Sequence, residues 1–156
     1  MRYFIAFSYF GKSYHGWQNQ PDTMTVQGVM EDALSKLLGE SMALTGAGRT
    51  DAGVHAVGQV ASFQSDSGLS PEVFCKGLNS LLPEDILILS CDCMPGDFHA
   101  RYDARGKHYQ YRILNSELPS IMERHYIWHI RRKLNLAAMQ TAAAYFVGRH
   151  DFKAFE

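Results

Sequence analysis

The hydrophobic period alternates between that of a strand and that of a helix within the first hundred residues, and this limits the fold more than any other feature. Tyr3, Ile5, Phe7 and Tyr9 recur at every second position, which places them on one face of a strand over 2–9. Val26, Val29, Met30, Ala33, Leu34, Leu37 and Leu38 then follow a 3.6-residue period. That spacing predicts an amphipathic helix over 25–38, with Gly39 as its C-terminal stop. Short strands are expected over 42–45 and 57–64, separated by a glycine-rich loop over 46–55. Ser70-Pro71-Glu72 reads as N-cap, first-turn proline and first-turn acid, and opens a helix that ends near Leu81, before Pro83. Ile86 to Cys93 reads as a buried strand. Lys107 to Leu114 and Tyr126 to Ile130 alternate. Asn135 caps a last helix through Val147, with Leu136, Met139, Ala143 and Phe146 inward. Strands interleaved with helices of 11 to 14 residues predict an α+β fold. The expected form is a mixed, mostly antiparallel sheet with helices on one face, in a ferredoxin-like split βαβ arrangement.

The chain has 156 residues, 46% of them hydrophobic, and a net charge of -1. That length can bury one core, and the composition excludes a disordered chain. A single continuous domain over 1–156 is expected. No apolar run approaches the roughly 18 residues of a membrane span. The N-terminus lacks the long apolar stretch and cleavage site of a signal peptide, so a cytoplasmic protein with no membrane partner is expected. The net charge conceals a split. Residues 1–100 carry five Lys/Arg against eleven Asp/Glu, whereas 101–156 carry ten against five. A basic C-terminal third fits either a polyanion partner or ordinary solvated faces. The odd count of three cysteines, without a secretion signal, points to reduced thiols. Cys91, Cys93 and the distant Cys75 lack zinc spacing and are expected as core thiols.

The segment Gly46-Ala47-Gly48-Arg49-Thr50-Asp51-Ala52-Gly53-Val54-His55 carries the most chemical information. It is not a phosphate loop, since no Gly-Lys-Ser/Thr follows. It is not a dinucleotide fingerprint, since Asp51 stands where the third glycine would be. One carboxylate stands between Arg49 and His55. A neighbouring guanidinium favours the ionised carboxylate, which can then attack an electrophilic carbon. The same residues also suit a turn in which Asp51 caps its own backbone and pairs with Arg49. One carboxylate and one histidine are too few for a metal site.

Gly48-Arg49-Thr50-Asp51-Ala52-Gly53-Val54-His55 resembles the signature loop of the tRNA pseudouridine synthase A family. Five further blocks match in order along the chain. They are Tyr14-His15-Gly16-Trp17-Gln18-Asn19-Gln20, Leu78-Asn79-Ser80-Leu81-Leu82-Pro83-Glu84-Asp85-Ile86, Phe98-His99-Ala100-Arg101, Lys107-His108-Tyr109-Gln110-Tyr111-Arg112-Ile113, and Gly148-Arg149-His150-Asp151-Phe152-Lys153-Ala154-Phe155. The resemblance implies the pseudouridine synthase fold and the isomerisation of uridine to pseudouridine in tRNA, with no cofactor and no metal. It implies as substrate the anticodon stem-loop at positions 38–40, bound by a homodimer.

By the same resemblance Asp51 is the catalytic carboxylate. Attack at C1′, attack at C6 of the base and assistance to a glycal route all share that residue. Tyr109 corresponds to the active-site tyrosine, which can stack on uracil. Tyr111 reads as packing. Arg49 corresponds to the arginine before the catalytic acid, which either pairs with Asp51 or fills the gap left by a flipped nucleotide. Arg101 and Lys107 are candidate substrate contacts, with Arg105, Arg112, Arg131, Arg132 and Lys133 as further phosphate contacts. Trp17, Gln18 and His55 are expected to line the cleft. A non-catalytic α+β RNA-binding module is the alternative reading. A hydrolase built on Asp51 and His55 lacks a supporting serine or metal set. The block at 148–155 lies inside longer relatives, so the 156 residues are expected to be the first portion of a two-half protein.

Overall fold

The computed structural model describes residues 1–153 and divides into two compact units, Met1–Lys107 and His108–Glu156. The first unit holds strand β1 (Arg2–Tyr9), helix α1 (Val26–Leu38), strands β2 (Thr45–Gly46) and β3 (Ala56–Gln64), helix α2 (Pro71–Leu81) and strand β4 (Ile86–Met94). The sheet order is β2-β3-β1-β4, with every neighbouring pair antiparallel. The chain order βαββαβ with that strand order is the split βαβ arrangement expected from the sequence.

Each element forms for local reasons that the packing then uses. On β1, Tyr3, Ile5 and Phe7 are fully buried and pair with Phe63, Ala61 and Gln59 on β3. The Thr25 hydroxyl accepts from the Gly28 N–H at 3.2 Å and caps α1. Gly39 closes the helix at φ +73°, the left-handed conformation that favours glycine. Met30 and Leu34 of α1, and Phe74 and Leu78 of α2, bury against the same sheet face. The Phe74 ring centroid lies 4.6 Å from that of Tyr3 and 5.1 Å from that of Phe63. The other face is partly covered by the segment after β4. There Phe98 meets Phe4 edge-on at 6.1 Å, and the Ala100 N–H donates to the Ser62 hydroxyl at 3.3 Å.

Two expectations for this unit change. β2 lies at Thr45–Gly46 rather than 42–45, because pairing with Ser62 and Ala61 sets its register. Of the cysteines, Cys91 is buried, Cys75 is half-buried and Cys93 is exposed. Cys93 sits near the end of β4, an edge strand bounded on one side only.

The second unit holds β5 (Ile113–Asn115), β6 (Trp128–Ile130) and α3 (Leu136–Ala144), with β5 and β6 parallel. The strand expected from 107 shrinks to three residues, since only Ile113–Asn115 find a ladder partner. The Asn135 carboxamide caps α3 at the Ala138 N–H, 3.0 Å away, as the sequence predicts, but the helix ends at Ala144. Its expected inward residues Leu136, Met139, Ala143 and Phe146 are exposed, and α3 buries no residue. The alanine-rich sequence of α3 is helical by propensity. Among the described residues, no helix is long and apolar enough to cross a membrane.

Candidate active site

The loop between β2 and β3 is held from beneath by the segment 9–17, through both backbone and side chains. The Trp17 N–H donates to the Thr50 carbonyl at 3.0 Å, and the Gly53 N–H to the Tyr14 carbonyl at 3.2 Å. The Tyr9 and Thr50 hydroxyls share a 2.8 Å hydrogen bond. The Gly11 N–H donates to Nδ1 of His55 at 3.0 Å, and the His55 ring stacks on Phe10 with centroids 4.5 Å apart. On the sheet side, the Gln59 amide donates to the Gly48 carbonyl at 2.9 Å.

Two glycines make this contact possible. A Cβ on Gly11 would fall 1.9 Å from the Val54 carbonyl oxygen, and one on Gly16 2.5 Å from the Thr50 oxygen. Gly16 also has φ +85°, where L side chains are strained. The turn that presents Asp51 closes by a Val54 N–H to Asp51 carbonyl bond of 3.2 Å, with Gly53 at φ +80°.

Asp51 and Arg49 are exposed at the tip of this loop. Among the described residues they form no ion pair with each other, and the Asp51 carboxylate accepts no hydrogen bond. The capped turn with an Arg49–Asp51 pair is therefore not what forms. The backbone N–H groups of residues 48–52 likewise donate to no described residue. Lys107 lies over the loop, since a Cβ on Gly48 would come within 3.0 Å of its Nζ. A free carboxylate thus shares a loop with a guanidinium and open amides, and the Lys107 ammonium lies against that loop at Gly48. That combination sets one unpaired carboxylate near donors suited to a phosphate.

The profile of the tRNA pseudouridine synthase family matches residues 5–103, which take in the sheet from Ile5 onward and both of its helices. The chain belongs to that family. It is 51% identical over 152 residues to a tRNA pseudouridine synthase A of Ruminiclostridium cellulolyticum, and 49% identical over 151 residues to one of Acetivibrio thermocellus. Each alignment covers 97% of this chain and 62% of the relative's length. A Citrifermentans bemidjiense relative of the same description is 48% identical, with 60% of its length covered. The chain therefore spans about three-fifths of the curated relatives it matches.

Within this family member, Asp51, Arg49, Gln18, His55 and Lys107 come from one unit. Trp17 departs from expectation. Its ring is 2% exposed and packs on Phe7 with centroids 5.5 Å apart, so it supports the loop from below and does not line a cleft. It also fills the space over Gly46, where a Cβ would fall 2.6 Å from the indole. Gln18 is half-buried, with its amide nitrogen committed to the Gln27 side chain at 3.0 Å. His55 acts through its ring as a strut, bonded and stacked as above. Arg101 is exposed in the segment over the opposite sheet face, where its N–H donates to Nδ1 of His99 at 3.2 Å. Tyr109 belongs to the second unit and is 64% exposed; Tyr111, expected to pack, is 86% exposed.

Sequence reasoning gave no role to Tyr14, which the structure makes central. Its ring is buried, its carbonyl holds Gly53, and its hydroxyl donates to Asp85 at 2.5 Å. Burial and then the Asp85 carboxylate push the Tyr14 phenol well above its ordinary range. Tyr14 and Asp85 stand in two separate family-like blocks, and only the fold joins them.

Proposed function

We propose that this chain carries the catalytic loop of an enzyme that isomerises uridine to pseudouridine in the anticodon stem-loop of tRNA, at positions 38–40. Asp51 is the nucleophile. Arg49 fills the space of the flipped nucleotide, Tyr109 stacks on uracil, and Lys107 and Arg101 bind backbone phosphate. The observation that carries this reading is the Asp51 carboxylate, exposed and unpaired on a loop whose two flanks are tied down. A carboxylate kept for structure would have a partner, whereas one kept for attack must reach its electrophile.

The reaction needs no redox partner. The N1–C1′ bond breaks, C5–C1′ forms, the C5 hydrogen leaves to solvent, and N1 regains a proton. The protein is cytoplasmic and uses neither metal nor organic cofactor. The functional unit is a homodimer that completes the cleft around the tRNA. Burial of Trp17 removes one aromatic platform that a non-catalytic sheet reader would display.

The test uses tRNA carrying 5-tritiated uridine and the protein carrying this sequence. Tritium should appear in water with the wild type and not with Asp51→Asn. Equal release from both removes Asp51 from the chemistry, and binding without release from either favours the RNA-binding module.

A further inference from the structure

Two side chains of α1 hold both flanks of the Asp51 loop. Gln27 and Glu31 lie four residues apart, hence on one face of the helix, and both are half-buried. The Gln27 carbonyl oxygen accepts from the Gln18 amide at 3.0 Å and from the Asn19 N–H at 2.9 Å. Its amide nitrogen donates to the Leu44 carbonyl at 3.1 Å and to Glu31 at 2.9 Å. Glu31 accepts from the Leu44 N–H at 2.9 Å and, through its other oxygen, from the Asn19 side-chain amide at 3.2 Å. The hydrogen-bonding capacity of the Gln27 side chain is fully used.

Leu44 immediately precedes β2, and Asn19 follows the strip that carries the loop. The pair therefore grips residue 44 by its own N–H and carbonyl, as a neighbouring strand would. It grips the 17–19 strip at the same time. The start of α1 reinforces this, with the Val26 and Gln27 N–H groups donating to the Gly16 and Trp17 carbonyls at 3.2 and 3.0 Å. From Trp17 the connection passes to the Thr50 carbonyl, one residue before Asp51. Gly28 leaves room for the clasp, since a Cβ there would stand 3.2 Å from the Asn19 carboxamide oxygen.

We propose that Gln27 and Glu31 are positioning residues for Asp51. They fix the separation between β2 and the 16–19 strip, and so the height of the loop that presents the carboxylate. The kinetic part of this proposal rests on the isomerase reading above. Its structural part does not.

The experiment compares Gln27→Leu, Glu31→Gln, Asn19→Asp and the Glu31→Gln/Asn19→Asp double variant. The double variant reverses one hydrogen bond at constant net charge. In Glu31→Gln an amide faces the Asn19 amide, in Asn19→Asp two carboxylates face each other, and in the pair the bond is restored. Amide hydrogen exchange at Trp17 should rise at least tenfold in each single variant and return to near wild type in the double. Per folded molecule, kcat should fall about tenfold or more in the singles with KM within about twofold, and recover in the double, because small misplacements of reacting groups are costly. Unchanged Trp17 exchange overturns the clasp. Exchange that rises while kcat per folded molecule stays constant reduces the pair to a stabilising role and overturns the proposal. Should Gln27→Leu fail to fold, the Glu31/Asn19 cycle alone decides. If wild type and Asp51→Asn release tritium equally, the isomerase reading falls while the exchange data still decide the clasp.

Discussion

Replacing Gly16 with alanine tests the close contact beneath the loop, and the structure lets its cost be divided. Gly16 has φ +85°, and its Cβ would fall 2.5 Å from the Thr50 oxygen and 3.1 Å from the Asp51 carbonyl carbon. The backbone conformation alone costs alanine about 1 kcal/mol. The overlap adds to this. Cβ contacts essentially never fall below 3.0 Å, so the Thr50 carbonyl must retreat by about 0.5 Å. That stretches the 3.0 Å Trp17–Thr50 hydrogen bond to the edge of bonding, a loss of about 1 kcal/mol. The sum is about 2 kcal/mol, and Asp51 moves with its neighbour. Two further alanines separate the terms. Gly53 has φ +80° but open space, and Gly58 has open space without a positive φ. Gly53→Ala should cost about 1 kcal/mol, and Gly58→Ala should be neutral or stabilising by up to about 1 kcal/mol. Urea unfolding followed by Trp17 emission, in a Trp128→Phe background, measures all three. If Gly16→Ala matches Gly58→Ala to within about 0.5 kcal/mol, the contact does not constrain the loop.

Two other outcomes follow from buried phenols and thiols. Tyr14→Phe leaves the half-buried Asp85 without its phenol partner and should cost about 1–3 kcal/mol in the same urea assay, with faster amide exchange at Gly53. Alkaline pH should weaken the fold. Burial, then the Asp92 charge, pushes the Cys91 thiol up to about 12, and burial likewise raises the Tyr3 and Tyr14 phenols. An acid whose folded value is raised stays neutral in the native state while the unfolded chain ionises. The stability it contributes is thus complete below the unfolded value, near 9 for a thiol, and is lost as pH rises through the folded one. Unfolding monitored from pH 8 to 12 should show this fall, and Cys91→Ala should flatten part of it.

Local physics sufficed wherever a segment's fate depends on its own period or caps. The β1 alternation, the α1 stripe with Thr25 and Gly39 at its ends, and Pro71 at the start of α2 all sit where their residues place them. The same reasoning overreached where a partner surface decides the outcome. The alternating residues from 107 remain mostly unpaired because a strand exists only when another strand accepts its hydrogen bonds. Met139 and Phe146 have the spacing of a buried face, yet both are exposed, because a period marks an apolar face without supplying the surface that covers it.

The site divides the same way. Asp51, Arg49 and the glycine-rich turn were legible because one loop carries them, and six matching blocks specify a family more tightly than any single one. What Trp17, Tyr14, Gln27 and Glu31 do was not legible, since each acts through groups brought close only by the sheet order β2-β3-β1-β4. An indole reads the same in sequence whether it stacks on a base or fills the space over Gly46. Sequence alone determined which carboxylate is available, because the turn and its glycines are local. Tertiary structure alone decided that this carboxylate stands free, because burial and hydrogen-bond partners come from segments distant along the chain.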